Sequence, residues 1–385
     1  MRIAFVSVLD PADVKNWSGT PYFMFEALKR SGHEVHAIAP LKSRFELVER
    51  LSQRCINAVS RTCYDITRTH AYARARACQA SRMIKERSFD LVLCPSSIVA
   101  AYLEVDAPIV TWEDATFAGM LNYYPGKWEN FSSWTIQSAN QLQQRALARS
   151  AISIFASEWA LDSARSSYSV STESLAFVPF GANIEQAPDA AEIASAIENR
   201  AEAQICRLLF VGVEWARKGG DLVLATADKL RRSGVQVQVD IVGCHPPCPV
   251  PEDVIVHGFV SKATDQGRQF LRRLYQDAHF LFVPSQAECY GLVFAEASAY
   301  GIPSIAKATG GIPSVVRDGE NGWTLPIDAG ADVYAQKIAE LISDRQRYQE
   351  MARRARQMYE ETYNWDSAIR RFDAVLAPIT GQGQL

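Results

Sequence analysis

A chain of 385 residues, 48% hydrophobic and 22% charged, has room for two domains with separate cores and too much apolar surface for disorder. A net charge of −3 excludes a strongly basic nucleic-acid binder. No run approaches the roughly 18 uninterrupted apolar residues of a membrane span, and Met1–Val8 reads as a strand rather than a secretion signal, so a cytoplasmic protein is expected.

In chain order, short β-branched runs alternate with longer helical patterns. Strands are predicted at Arg2–Val8, Glu34–Pro40, Asp90–Cys94, Pro108–Glu113, Ala151–Ala156 and Leu175–Phe180. The scheme repeats at Arg207–Gly212, Val237–Gly243, Val254–Phe259, His279–Pro284, Pro303–Ala306 and Gly322–Leu325, with helical stretches such as Asp221–Arg232 and Arg268–Asp277 between. Near-continuous apolar strands separated by crossover helices imply two parallel, doubly wound sheets covered on both faces. The predicted divisions are 1–183, a linker at 184–204 where Pro188 and a run of Ala, Glu and Asp interrupt the rhythm, a second domain at 205–364, and a final helix at 365–380. Only the tail 381–385 reads as disordered.

Eight scattered cysteines read as free thiols. Cys244, His245 and Cys248 lie close together but, interrupted by Pro246 and Pro247, supply too few ligands for zinc. Segment 41–88 carries a local charge of +7, which fits either contact with an anionic partner, such as the inner membrane face or a lipid-phosphate acceptor, or a solvated helical face.

Ligands of open parallel sheets sit beyond the carboxyl ends of the strands. After His279–Pro284 the chain reads Ser285-Gln-Ala-Glu288-Cys-Tyr290-Gly291-Leu292-Val293-Phe-Ala-Glu296. A glycine that admits close approach, the unpaired N–H groups of Gly291, Leu292 and Val293, and the positive end of a helix together describe an anion site. Glu288 lies in the loop before it and Glu296 on the second turn after it. A carboxylate one turn deeper can accept both hydroxyls of a ribose whose phosphates rest on the helix start, and the loop carboxylate can reach a sugar beyond them; both also suit a helix N-terminus without any ligand. Lys218, ahead of Gly219-Gly220 after a strand, faces the same proposed site.

The two glutamates separated by seven residues resemble the signature of glycosyltransferase family 4. The likeness extends through Phe210-Val-Gly212, Arg217-Lys218-Gly219-Gly220, His257-Gly258-Phe259, Val283-Pro284-Ser285, Thr309-Gly310-Gly311-Ile312-Pro313 and Asp318-Gly319-Glu320-Asn321-Gly322. In the first half it continues at Trp17-Ser18-Gly19-Thr20-Pro21 and Val178-Pro179-Phe180-Gly181-Ala182-Asn183. This resemblance implies a retaining, metal-independent glycosyltransferase of GT-B architecture, two Rossmann-like α/β domains facing across a cleft, with the nucleotide-sugar donor on the second and the final helix returning to the first. It implies that Lys218 neutralises the donor diphosphate, Glu296 holds the ribose and Glu288 contacts the transferred sugar. No cofactor is expected beyond the nucleotide-diphosphate sugar itself, and no metal, since no Asp-x-Asp follows a strand where one would bind. The acceptor is a carbohydrate, a lipid-linked group or a small molecule.

Two departures from the family pattern stand out. Val213 occupies the place of an arginine that commonly follows the glycine matching Gly212, and Arg217 is the expected substitute. The fourth strand ends in Thr111-Trp112-Glu113-Asp114 where many relatives carry a histidine; Glu113 or Asp114 is the expected replacement, either of them equally a helix cap. Gly19 and Thr20 match a shortened acceptor-side glycine loop, though Ser18-Gly19-Thr20-Pro21 is also an ordinary turn. Phe259 is a candidate wall for the base, and Ser285 and Tyr290 line the proposed donor site. His33 and His36 read as structural. Gly-x-Gly-x-x-Gly after a strand and the Walker pattern are both missing, which excludes a nicotinamide dehydrogenase and a P-loop ATPase. A nucleotide-sugar epimerase or hydrolase, and a non-catalytic nucleotide-sugar-binding partner subunit, are the alternatives.

Overall fold

The computed structural model describes residues 1–43, 46–126 and 129–380. The chain forms two compact units, one made of Met1–Pro179 together with the segment from Ala368 onward, the other of Phe180–Ser367. Each is built on a six-stranded, all-parallel sheet.

In the first unit β1 (Arg2–Val6), β2 (Glu34–Ile38), β3 (Leu91–Cys94), β4 (Ile109–Glu113), β5 (Ile152–Phe155) and β6 (Leu175–Phe177) are ordered β2-β1-β3-β4-β5-β6. Every residue of β3, β4 and β5 is buried, which is why these strands read as near-continuous apolar runs. Ala73, Ala77 and Ala80, small residues on the helix His70–Lys85, lie fully buried in the core beside Ala4, Val92 and Leu142. That helix starts where the Thr69 hydroxyl accepts the Tyr72 N–H, and the helix Ser133–Arg149 where Ser132 accepts that of Thr135. The last helix, Trp365–Thr380, is fastened within this unit by Phe372 stacked on Trp112 at 5.3 Å and by Asp373 paired with His33 at 3.1 Å.

The second unit orders β7 (Cys206–Val211), β8 (Val237–Val242), β9 (Val254–Gly258), β10 (Phe280–Phe282), β11 (Ser304–Lys307) and β12 (Gly322–Leu325) as β12-β11-β10-β7-β8-β9. His279, just ahead of β10, is buried and ties two neighbours: its Nδ1 accepts the Arg207 N–H at 3.0 Å, so Nε2 carries the proton donated to the Arg200 carbonyl at 2.8 Å. Burial pushes this imidazole down to about 4.

Among the described residues, the twelve predicted strands meet twelve observed ones, with ends shifted by a few residues. Three expectations need correction. Burial on both faces fails for the edge strands β2 and β9, which are half exposed because no further strand and less helix covers them. Segment 184–204 is no plain linker. It holds the helix Ala190–Glu202, opened by a reciprocal Asp189–Glu192 capping box and packed into the second unit through Ile193, Ile197 and Arg200, whose guanidinium donates to the carbonyls of Tyr300 and Gly301. The Ala-, Glu- and Asp-rich composition belongs to an amphipathic helix as readily as to a linker. The change of unit falls instead between Pro179 and Phe180. The tail 381–385 and Arg44 of the basic segment lie outside the described residues. Among the described residues no helix is long and apolar enough to cross a membrane.

Candidate functional site

In the second sheet the strand order reverses between β7 and β10. At such a point the loops leaving two adjacent strands diverge to opposite faces and leave a crevice at their carboxyl ends. The segment after β7 carries Gly212 and Val213 and then, on the short helix Trp215–Lys218, Arg217 and Lys218; the loop after β10 carries Ser285, Glu288, Tyr290 and Gly291. The two are locked together. Gln286 N–H donates to the Arg217 carbonyl at 2.7 Å, and the Arg217 guanidinium donates to the Ala287 carbonyl at 2.9 Å and to Glu214 at 2.9 Å. Gly219, at φ 80°, brings the first loop so near the second that a Cβ there would sit 2.4 Å from the Pro284 carbonyl oxygen. A side chain at this position would force the loops apart.

The charged centre lies at their contact. Lys218 Nζ donates to Glu288 Oε2, with Arg217 Nη1 3.5 Å from the same oxygen. All three side chains are largely buried. The Lys218 stem lies across Gly212, whose missing Cβ leaves it that room. Two cations thus share one carboxylate, with Glu214 as a second counter-charge on Arg217. Ser285 is fully buried, and among the described residues its hydroxyl has no hydrogen-bond partner. Tyr290 fixes the far side of the loop through its hydroxyl, which donates to the Phe180 carbonyl at 2.6 Å.

Gly291, at φ 92°, turns the loop into the helix Leu292–Ala299 and serves as its N-cap without any side-chain cap. Leu292 and Val293 at the first turn are half exposed, and first-turn N–H groups have no partner within their own helix and carry its positive end. Glu296, one turn in, is buried; its Oε1 is bound by Lys262 Nζ and its Oε2 accepts the Tyr275 hydroxyl at 3.1 Å. Sequence reasoning missed Lys262, Tyr275 and Glu214. Lys262 and Tyr275 come from separate segments that only the fold brings to Glu296, and Glu214, three residues before Arg217, sits in no recognisable motif. Phe259, at the end of the edge strand β9, is 75% exposed, unlike an aromatic that belongs to a core.

The acceptor-side candidates lie in the first unit. Its order reverses between β1 and β3. In the loop after β1, Trp17, Ser18 and Gly19 take φ values of 44°, 55° and 87°, a left-handed run in which two members carry side chains. Such strain persists only where the surroundings over-determine it, and it clusters at functional loops. Thr20, buried, opens the helix Thr20–Arg30 directly after it. Glu113 and Asp114 are not equivalent. Glu113 is buried at the end of β4, where its carboxylate accepts the Ser97 N–H and, at 3.1 Å, the Gln143 amide. Burial holds its carboxyl above the ordinary value, against the hydrogen bonds from Gln143 and Ser97. Asp114 is half exposed. Glu113 therefore ties the end of β4 to the helix start at Ser97 and to Gln143, whereas Asp114 lies nearer the surface. Among the described residues no three His, Cys, Asp or Glu side chains gather as a metal site, and the eight cysteines are free thiols.

Residues 206–344 match the family model described as glycosyl transferases group 1. No curated protein sequence gives a significant match. Among solved structures, sucrose-phosphate synthase from Thermosynechococcus elongatus is similar at 16% identity and a TM-score of 0.65, over 99% of this chain and 100% of that one. Anabaena HepE in complex with UDP-glucose is similar at 16% identity and 0.63, over 98% and 100%. The lipopolysaccharide outer core galactosyltransferase WaaB, in its apo form, is similar at 14% identity and 0.66, over 98% and 99%. At such identities the likeness establishes the fold.

Proposed function

Proceeding from a group 1 glycosyltransferase domain at residues 206–344 on a GT-B fold, we propose that this transferase is retaining and metal-independent, taking its sugar from a nucleotide-diphosphate donor and passing it to an acceptor hydroxyl in glycan or glycoconjugate synthesis. The observation that carries the reading is the meeting of Lys218 and Arg217 with the uncapped start of the helix Leu292–Ala299 at the reversal of strand order. That site is built to hold a polyanion. A further support is the pair of similar structures, HepE with UDP and with UDP-glucose, whose ligands belong to the same chemical class.

In the resting site Glu288 holds the place of an anion, since its carboxylate pairs with Lys218 and faces Arg217. The donor diphosphate takes over both cations and the helix N–H groups, releasing Glu288 toward the sugar. As the anomeric C–O bond to the diphosphate breaks, negative charge collects on the phosphate oxygens, where the cations and helix terminus stabilise it, while positive charge develops on the sugar ring beside Glu288. The acceptor oxygen forms the new bond and its proton passes to the departing diphosphate. Glu296, aimed by Tyr275 and Lys262, receives the ribose hydroxyls; Phe259 walls the base, and Ser285, Tyr290, Leu292 and Val293 complete the donor site. On the acceptor side Gly19, Thr20 and Asp114 are assigned to the sugar and acceptor. The basic segment 41–88 is assigned to an anionic membrane face.

Incubation with UDP-, GDP- and ADP-sugars tests the proposal. One donor is expected to raise the unfolding temperature, and nucleoside diphosphate to appear rapidly only when acceptor is added. Free sugar or an epimer released at full speed without acceptor would assign a hydrolase or epimerase. Stabilisation with no turnover under any acceptor would point to a binding subunit.

A further inference from the structure

The helix Glu46–Val59 of the first unit is amphipathic in the reverse sense to a core helix. An ordinary surface helix turns its apolar stripe inward and its polar face to water. Here the polar face docks on the protein. Glu49 takes a bidentate ion pair from Arg76 at 2.9 and 2.6 Å, Gln53 accepts the Ile66 N–H at 3.2 Å, and Asn57 clasps the Tyr64 backbone through both amide atoms at 2.7 and 3.0 Å. No residue of the helix is buried.

The apolar residues consequently point away from the unit. Leu47, Val48, Leu51 and Val59 fall within roughly a third of the helix circumference at 100° per residue, and all are exposed, Leu47 at 71% and Val59 at 89%. Exposed Arg50 and Arg54 border this stripe on one side and Arg61 follows its end, within the segment of charge +7. Tyr64, held by Asn57, stacks at 5.6 Å on Trp134, itself 51% exposed, which sets an aromatic pair near the last turn. An exposed apolar stripe bordered on one side by arginines is the pattern of a helix lying in a lipid headgroup layer, and the half-exposed Trp134 sits near the end of the same helix. A contact between two copies is disfavoured, because a two-fold axis through the stripe would bring the bordering arginines toward one another.

We infer that the helix Glu46–Val59 seats this protein on an anionic bilayer, its leucines and valines in the headgroup–acyl boundary and Arg50, Arg54 and Arg61 on lipid phosphates. The inference deepens the membrane contact proposed above and rests on the transferase reading only for its corollary, that the acceptor is lipid-linked.

Co-sedimentation of the full chain with phosphatidylcholine vesicles, and with vesicles also containing phosphatidylglycerol, tests it. Binding to the anionic vesicles is expected to be at least about tenfold tighter and to weaken with salt. The double variant Leu47→Glu/Leu51→Glu, at exposed positions that leave the fold intact by circular dichroism, is expected to lose about tenfold or more of that binding. Arg50→Gln/Arg54→Gln is expected to lose the anionic preference while keeping the donor-induced rise in unfolding temperature. Equal sedimentation of wild type and the glutamate variant, or none with either vesicle, overturns the inference. So does a dimer in solution that the glutamate substitutions dissociate, which assigns the stripe to a second copy. Failure to bind vesicles with donor stabilisation intact removes only this inference; vesicle binding without any donor response removes the transferase reading and leaves the membrane seat.

Discussion

Both units carry six parallel strands whose order reverses beside their first strand, yet they equip that point differently. In the second, two loops are cross-linked by charge: Arg217 and Lys218 share Glu288, and Lys262 holds Glu296. In the first, the loop after β1 is held in a left-handed run at Trp17, Ser18 and Gly19, and the buried carboxylate at the end of β4 accepts from two neutral donors, with the Arg68 charge acting on it besides. Topology supplies a crevice in both cases, and the loops decide its chemistry. On the proposed function, the second unit suits a polyanion because Lys218 and Arg217 converge on the Glu288 carboxylate, which an incoming phosphate can displace. The first holds its buried carboxylate on the Ser97 N–H and the Gln143 amide, and its half-exposed Asp114 is the acid proposed for recognition.

The sharpest way to break this contrast is to remove the displaceable charge. Lys218→Ala is expected to lower transfer by about 10²- to 10³-fold with the fold retained, measured by initial rates beside circular dichroism. Unchanged rates would mean that the second unit's charge is structural like the first's. Next in size is the buried acid of the first unit. Glu113→Ala strands the Ser97 N–H and the Gln143 amide and is expected to cost about 1–3 kcal/mol in urea unfolding, whereas Asp114→Asn should reduce transfer with a smaller stability change. The pH dependence has a defined sign. With its folded value raised by burial, the contribution of Glu113 is fully present below the ordinary carboxylate range and lost as pH rises through the folded value; Glu113→Gln should flatten that slope. The finest probe is Tyr275→Phe, which frees one oxygen of Glu296. It is expected to raise donor KM by roughly fivefold, about 1 kcal/mol, with kcat within about twofold. The penalty should shrink with a donor lacking a ribose hydroxyl; a penalty of the same size for both donors would make Tyr275 a packing residue only.

Much of this was legible beforehand. The spacing of Glu288 and Glu296 around Gly291, and Lys218 ahead of Gly219-Gly220, mark the candidate site because loop, helix start and acid lie within one short stretch of chain. Lys262 and Tyr275 were not legible, since each reaches Glu296 from a distant segment, and Glu214, three residues before Arg217, belongs to no motif. The left-handed Trp17 and Ser18 were hidden as well: nothing in the residue types announces a positive φ where glycine does not require it. The helix Ala190–Glu202 was mistaken for linker because its apolar stripe is short and its caps, Asp189 and Glu192, look like loop polarity.

What sequence by itself determined is the alternation of buried strands and crossover helices, and with it two parallel sheets, because strand burial and helix periodicity are properties of local residue order. Tertiary structure alone decided which charges meet, which of Glu113 and Asp114 is spent, and that the helix Glu46–Val59 turns its apolar side outward. An amphipathic pattern fixes that a helix has two faces. Only its partners, here Arg76, Ile66 and Tyr64, settle which face the protein keeps.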